Sequence, residues 1–423
     1  MLGMEETGFG LMMRSFESIL RLTALLCGVG LACVGQTPAP DQKADTQPGS
    51  KAWMDIYGFA QLDAGYDFKQ VDPNWFDVVR VTKLPSYANQ FGSDGNTYFS
   101  VRQSRFGVKA EVPTSLGTLK TIFEFELFGT GVDAGQTTFR LRHAYGELGH
   151  FGGGQYWSVF MDPDALPSTL EYWGPPGVPL FRNVQFRWMP IMGDSRVTLA
   201  VERPGASADQ GVYAGRIELQ NVKPHFPSPD FTGAARLGGK WGHVQLSGIA
   251  RRIEWTDTSN GPTNISGGLW GWGFNGSSSL NLGKDSVLML SAIYGEGVEN
   301  YMNDAPADVG PVPNPGNAKT PVTGKAIPLI GMMAYFEHNW TPRVASTMGY
   351  SRIDTRNTSG ALDSDFRAGQ YATANVRVTP VKNMMAGGEF QWGYRRNYRD
   401  GFTVPDYRLQ FSFKYNFSFR IGG

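Results

Sequence analysis

The amino-acid sequence predicts an all-β fold, a transmembrane antiparallel β-barrel of about 16 strands with short periplasmic turns and long extracellular loops. Three observations predict this fold: an unbroken alternation of apolar and hydrophilic residues in the last strand, a regular succession of short and long connections, and a composition rich in glycine and aromatic residues. A soluble sandwich strand rarely sustains such an alternation, and a soluble β-propeller or sandwich has no reason to alternate short and long connections, so together the observations favour a membrane barrel.

The last predicted strand, residues 404–419, shows the clearest alternation. Successive side chains of a strand point to opposite faces. One face of this strand carries only large apolar side chains, namely Tyr407, Leu409, Phe411, Phe413, Tyr415, Phe417 and Phe419. The other face is wholly hydrophilic. A strand with lipid outside and a watery lumen inside has this pattern, which soluble sandwich strands rarely sustain over such a length.

The composition argues against two other classes of protein. The formal net charge is +0, so no nucleic-acid partner is expected. Hydrophobic residues make up only 41% of the chain, which is low for a bundle of membrane helices. The 54 glycines and the 13% aromatic residues favour short strands joined by turns.

The N-terminal region, residues 1–35, is predicted to be a secretory signal peptide that starts at Met12 or Met13. Its apolar run from Leu22 to Gly35 is too short to span a bilayer as a helix, which needs about 20 residues. The next segment, residues 36–52, is rich in Pro, Gln, Asp and Lys and predicts a flexible periplasmic linker.

Both cysteines, Cys27 and Cys33, lie inside the predicted signal peptide. A mature chain without cysteine suits an exported protein that needs no disulfide. Lipidation of Cys33 stays open as an alternative to cleavage after Gly35.

Residues 53–419 are predicted to form the barrel, and residues 420–423 a C-terminal tail. The predicted strands are even in number, as a closed bacterial barrel requires. They are 53–67, 97–112, 117–128, 138–149, 151–160, 181–189, 194–203, 230–240, 242–256, 264–282, 285–298, 326–340, 342–355, 363–380, 382–398 and 404–419. The strand 97–112 changes its apolar parity near Gln103, which predicts a β-bulge there.

The predicted connections differ in length according to their order in the chain. Tight turns are expected at 113–116, 149–150, 190–193, 241, 283–284, 341 and 381. Longer stretches lie between them, at 68–96, 161–180, 204–229 and 299–325. An outer-membrane barrel keeps its short turns at one end and its long loops at the other.

Several segments resemble outer-membrane porins. Residues 104–111 (SRFGVKAE) and 154–160 (GQYWSVF) are similar to an early strand and to the fifth strand of general trimeric porins. Residues 140–147 (RLRHAYGE) and 388–393 (GEFQWG) resemble the DcaP-like porin family more specifically. The similarity covers nearly all of the predicted barrel.

The resemblance implies a homotrimer of barrels in the outer membrane that contacts lipid and lipopolysaccharide. It further implies passive diffusion of small hydrophilic solutes, with small anions such as carboxylates or dicarboxylates favoured. Two features depart from the family pattern. Residues 36–52 cannot supply the coiled coil that some members carry, and residues 420–423 follow the aromatic residue on which most porins end.

The long loop after the fifth predicted strand, residues 161–180, is the candidate for a constriction inside the barrel. A barrel of this size would otherwise leave an open aqueous channel. Its candidate residues are acidic or aromatic, namely Asp162, Asp164, Glu171, Tyr172 and Trp173. An ordinary surface loop is the alternative.

The pore wall is predicted to carry charge at the inward-facing positions. The basic candidates are Arg105, Arg140, Arg142, Arg377, Arg408 and Lys414. The acidic candidates are Glu124 and Glu126. Rings of arginine or lysine select anions by charge, but cross-strand ion pairs would explain the same residues structurally.

The sequence predicts no enzyme activity, no cofactor and no metal site, because it contains no His-Glu-x-x-His and no Gly-x-Ser-x-Gly motif. Two alternatives stay open. One is a barrel-borne outer-membrane hydrolase, whose site would be assembled in space. The other is a periplasmic β-propeller binding protein, although a repeat of about 40–50 residues is not visible.

Overall fold

The computed structural model describes residues 51–214 and 216–423. The predicted signal peptide and nearly all of the predicted linker therefore lie outside the described residues. Within the described part, the chain forms a closed 16-stranded antiparallel barrel with almost no helix. A four-residue helix spans Ile217–Gln220, and none of the described helices could span a membrane.

The sheet is continuous from the first strand to the last. The strands are β1 (Trp53–Asp67), β2 (Asn96–Ser100), β3 (Arg105–Thr114), β4 (Gly117–Phe128), β5 (Thr137–Leu148), β6 (Phe151–Trp157), β7 (Arg182–Ile191), β8 (Arg196–Glu202), β9 (Val222–His225), β10 (Asp230–Gly239), β11 (Gly242–Asp257), β12 (Gly267–Asn281), β13 (Ser286–Glu296), β14 (Val309–Pro313), β15 (Val322–Ala326), β16 (Pro328–Thr341), β17 (Val344–Thr355), β18 (Phe366–Val378), β19 (Met384–Asn397) and β20 (Thr403–Gly422). The short strand β9 extends the sheet beside β11, while β14 and β15 form a separate hairpin within a loop.

The barrel closes because β1 pairs with the last strand, β20, on one side and with the second strand of the wall on the other. That second wall strand is split into β2 and β3, so the predicted bulge near Gln103 is a full break in the strand. The break is bridged by a hydrogen bond of 3.0 Å from Gln61 N to Ser104 Oγ. At the other end of the chain, Trp53 pairs with Gly422, so residues 420–422, which the sequence suggested as a tail, continue β20.

The two faces of β20 are those that the alternation predicts. Phe413 is 50% exposed on the outer wall, whereas its neighbour Ser412 is fully buried on the inside. Ser412 Oγ donates to Asp63 Oδ1 of β1 at 2.6 Å. The inward polar residues are buried because long loops fill much of the lumen.

Short connections, such as 115–116, 149–150 and 342–343, lie at one end of the barrel, and the long ones lie at the other. Three long loops contribute to the interior. They are the first loop (68–95), the inner loop (158–181) and the third loop (297–308). Their apolar side chains pack in three clusters. One lies against inward residues of β13, β16, β17 and β18 and includes Val79, Val81, Phe160, Tyr301, Met302, Ile293, Leu329, Ile353, Phe366 and Tyr371.

Candidate functional site: the lumen

The first part of the inner loop is fixed to one wall of the barrel by Asp162. Arg236 Nη2 donates to Asp162 Oδ1 at 2.5 Å, and Ser277 Oγ donates to Asp162 Oδ2 at 2.7 Å. His243 Nε2 lies 2.8 Å from the same Oδ2. Asp164 is more exposed and also pairs with Arg236. Both aspartates therefore attach the loop to β10, β11 and β12.

The middle of the inner loop is held by two buried carboxylates. Glu389 of β19 accepts hydrogen bonds from Leu170 N (2.8 Å) and Glu171 N (3.0 Å). Glu171 in turn accepts from Val79 N and from the Tyr371 hydroxyl, both at 3.0 Å. Burial raises the pKa of Glu171 to about 7, and the nearby carboxylate of Glu389 adds to this rise.

The last part of the inner loop approaches the wall so closely that only glycine fits. A Cβ atom on Gly177 would lie 2.3 Å from Arg352 O and 2.5 Å from Met332 O. Gly177 N donates to Ser351 Oγ at 2.9 Å. The loop backbone therefore lies directly against β16 and β17.

The three inward loops also hold one another. Trp75 of the first loop and Trp173 of the inner loop pack edge to face, with ring centroids 4.9 Å apart, and Arg80 lies against both rings with its Cζ 4.1 Å from each centroid. Its guanidinium donates two hydrogen bonds to Asp304 of the third loop, at 3.0 and 2.7 Å. Trp173 Nε1 donates to Asn303 O at 2.9 Å. Cation–π and ion-pair contacts thus join the three loops at one point.

A charged cluster centred on Glu124 and Glu126 of β4 lies next to this junction, with Phe128 of β4 in contact with both Trp75 and Trp173. Arg142 Nε donates to Glu124 at 2.6 Å, and Arg142 Nη1 also binds Glu126. Arg140 donates to Glu126, and Arg105 lies 3.7 Å from each of the two carboxylates.

Two further side chains complete the charged cluster. Arg182 Nη2 lies 3.4 Å from Glu126 Oε1. The Tyr172 hydroxyl donates to the same oxygen at 2.5 Å, and its ring stacks on Phe128 at 4.0 Å. Tyr172 is thus the candidate residue of the inner loop that reaches the charged cluster.

The charged cluster has an excess of positive charge. Four guanidiniums surround two carboxylates, so 4 − 2 leaves two formal positive charges. Lys414 lies nearby, because its Nζ and the Cζ of Arg105 lie 3.8 and 5.2 Å from the same Phe59 ring. Within the described part of the chain, Lys414 forms no salt bridge.

The remaining basic candidates are neutralised by single partners. Arg377 Nη2 lies 3.0 Å from Glu337. Arg408 is fully buried and donates to Asp67 at 3.0 and 2.8 Å. The structure therefore brings Arg105, Arg140, Arg142 and Lys414 of the predicted set together, and it places Arg377 and Arg408 elsewhere on the wall.

Sequence reasoning missed two inward arginines on β7. Arg182 lies 5.1 Å from the Trp157 ring, and Arg187 lies 5.2 Å from the Tyr145 ring. Strand parity alone could have revealed Arg187, which shares its face with the buried Gln185. Arg182 is the first residue of the strand, where alternation gives no reliable direction.

A closed barrel with outward apolar side chains, a polar interior and loops folded into the lumen is the architecture of an outer-membrane channel of the porin type. In the described residues, no group of three or more His, Cys, Asp or Glu side chains is arranged to hold a metal ion. The model of the DcaP outer membrane protein family matches residues 39–417, and the chain belongs to this family. It is therefore an outer-membrane channel protein.

Solved structures agree with this fold. The crystal structure of the outer membrane channel DcaP of Acinetobacter baumannii matches with a TM-score of 0.71 and 19% identity, over 88% of this chain and 99% of that chain. A trimer form of OmpT of Vibrio cholerae matches with a TM-score of 0.52 and 13% identity, over 87% and 100%. An anion-selective porin from Comamonas acidovorans also gives 0.52, with 11% identity over 87% and 100%. No curated protein matches the sequence significantly.

Proposed function

We propose that the protein is a porin for passive diffusion of small hydrophilic solutes and that it favours small anions such as carboxylates and dicarboxylates. The observation that carries this proposal is the excess of positive charge in the cluster around Glu124 and Glu126. An anion that passes a wall of low dielectric constant interacts with uncompensated cations more strongly than it would in bulk water.

Arg105 and Lys414 are the basic groups best placed to act on a passing anion. The Arg105 side chain is 25% exposed and stands 3.7 Å from its carboxylate neighbours, and its Nε has no hydrogen-bond partner among the described residues. Arg142 is only 6% exposed and hydrogen-bonds to both glutamates. Arg142 therefore mainly fixes Glu124 and Glu126, while Arg105 and Lys414 set the local potential.

The test is the reversal potential of single channels in a potassium chloride gradient. The double variant Arg105→Gln/Lys414→Gln should lower the permeability ratio of anion to cation severalfold, and most strongly at low salt, where the Debye length is about 30 Å at 0.01 M. The matched control is Arg203→Gln/Arg399→Gln, which removes two positive charges outside the charged cluster. If both double variants keep the parent's reversal potential, the charged cluster is structural and the anion preference loses its mechanism.

We propose further that the chain has no catalytic activity. For the alternative of a barrel-borne hydrolase, the candidate is Ser286 with His338, whose Oγ and Nδ1 lie 2.8 Å apart and form the one serine–histidine hydrogen bond among the described residues. Within the described residues, no third side chain hydrogen-bonds to His338 to orient it, as a triad requires. The purified protein should not hydrolyse phospholipid or ester substrates; hydrolysis that Ser286→Ala abolishes would reinstate the hydrolase.

The working unit is proposed to be a homotrimer embedded in outer-membrane lipid and lipopolysaccharide. A structure with this barrel fold, OmpT of Vibrio cholerae, is known in a trimer form, which supports this assembly. Light scattering of the detergent-solubilised protein should give three chains per particle, and a monomer mass would contradict this assembly.

A further inference from the structure

A shallow groove lies on the outer wall of the barrel, on the side opposite to the lumen. It has a volume of about 470 Å³, within the range of about 300–1,000 Å³ that is typical of small-molecule sites. We call it the outer groove, and its lining includes Val184, Phe186, Val201, Arg203, Phe226 and Pro229.

Strand alternation shows that the outer groove faces away from the pore. Phe186 and Val201 are 54% and 39% exposed. Gln185 and Glu202 also contribute to the lining, but both are buried and their side chains bond to groups on the lumen side, Gln185 to Trp157 O and Glu202 to Ser158 Oγ. The groove also lies near the end of the barrel that carries the long loops, because β8 ends at Glu202 and Phe226 belongs to the following loop. In an outer-membrane channel this end meets the outer leaflet.

A single cation stands at the edge of the outer groove. Arg203 is exposed, and its backbone N donates to Val184 O at 2.8 Å, which fixes its position beside the apolar lining. Arg203 forms no salt bridge with any described residue. A long basic side chain at the boundary between apolar surface and water places its charge at the level of the lipid headgroups.

The groove is also stiff. Pro204, Pro227 and Pro229 form part of its lining, and proline has little conformational freedom to lose when a ligand binds. An apolar channel of fixed shape with a guanidinium at one end matches an amphiphile that has an alkyl chain and a phosphate.

We propose that the outer groove binds one molecule of an outer-leaflet glycolipid of the lipopolysaccharide class. One acyl chain lies along Val184, Phe186, Val201 and Phe226, and a phosphate of the glycolipid pairs with Arg203. The site is separate from the pore and does not depend on the proposed anion preference.

The test is native mass spectrometry of the delipidated protein after incubation with lipid A. The parent should retain one tightly bound lipid A per chain. Arg203→Gln should weaken retention about fivefold, the effect of one basic residue at an anionic headgroup layer. Phe226→Ala should weaken it further, while Phe226→Leu should restore it. The control variants Leu246→Ala and Arg399→Gln alter an exposed apolar side chain and an exposed cation outside the groove, so retention should not change.

Lipid A from which the phosphates have been removed separates the headgroup contribution from the acyl contribution. The parent should bind this phosphate-free lipid A about as weakly as Arg203→Gln binds intact lipid A. Arg203→Gln itself should retain the two forms of lipid A equally. Equal retention of lipid A by the parent, Arg203→Gln and Phe226→Ala would overturn the proposal. If these two variants instead reduce the number of chains per particle without changing lipid retention, the groove is a contact between subunits and the proposal is wrong.

Discussion

The two sides of the lumen are built on different physical principles. On the side of β13 and β16–β18, the inward loops pack as a buried apolar cluster, and hydrogen bonds to the wall strands complete the attachment. On the side of β3–β7, the wall carries arginines and glutamates that pair with each other. We therefore expect the packed side to determine how much of the lumen is filled and the charged side to determine the electrostatic potential in the remaining space.

Close packing and charge clusters respond differently to substitution. In a close-packed region, an added atom that does not fit costs about 1–3 kcal/mol and displaces its neighbours. A partly hydrated charged cluster tolerates substitution of its members, but its net charge changes with each one. Variants of the packed side should therefore change conductance, and variants of the charged side should change selectivity.

The largest expected effect is that of removing the inner loop. Deletion of Leu166 to Gly177 should raise single-channel conductance roughly twofold or more, because a barrel of this size has an aqueous lumen when nothing narrows it. Deletion of the exposed residues 315–319, at the tip of the β14–β15 hairpin, is the control and should leave conductance unchanged. Different gel mobility of boiled and unboiled samples verifies that each variant folds. An unchanged conductance in a folded variant would make the inner loop a surface feature.

A smaller change should follow from one added side chain on the packed side. Gly177→Val places a Cβ atom 2.3 Å from a backbone oxygen of β17, so the loop must move away from the wall. Conductance should become larger and less steady, with the reversal potential unchanged. Gly276→Val is the matched control, since a Cβ atom there meets nothing within 4 Å. If both variants behave alike, close packing at Gly177 does not hold the loop.

The smallest effect concerns pH. The pKa of Glu171 is raised to about 7 from its ordinary value of 4.5. A carboxyl group whose folded-state pKa is raised contributes stability that is fully present below the ordinary pKa and is lost as the pH rises through the folded-state value. Docking of the inner loop should therefore weaken between about pH 5 and pH 8.

Hydrogen exchange of the inner loop at pH 5 and pH 8, corrected for the intrinsic rate, measures this change. Glu171→Gln removes the titrating group and should make protection independent of pH, whereas Asp164→Asn, an exposed carboxylate in the same loop, should keep the parent's pH dependence. A pH dependence that survives in Glu171→Gln would assign the effect to another group.

Much of the barrel could be read from the sequence because strand geometry is local. The alternation of Phe413 with its neighbours decides which side faces lipid, and tight turns such as 149–150 mark the ends of strands. The same parity placed Arg105, Arg140 and Arg142 on the inner wall. In the sequence, the break at residues 101–104 shows only as a change of apolar parity. The hydrogen bond that bridges the break joins Ser104 to Gln61 of β1, and a contact with another strand leaves no local pattern in the sequence.

The partners of the inward residues were decided by the tertiary structure alone. Glu171 N and the Glu389 carboxylate are 218 positions apart in the chain, and Arg80 and Asp304 are 224 apart. Among the acidic candidates of the inner loop, Asp162 attaches to Arg236 and Glu171 is buried against β18 and β19. Periodicity determines the face on which a side chain lies. Which loop meets which wall follows from closure of the barrel and from close packing within it, and neither leaves a local pattern in the chain.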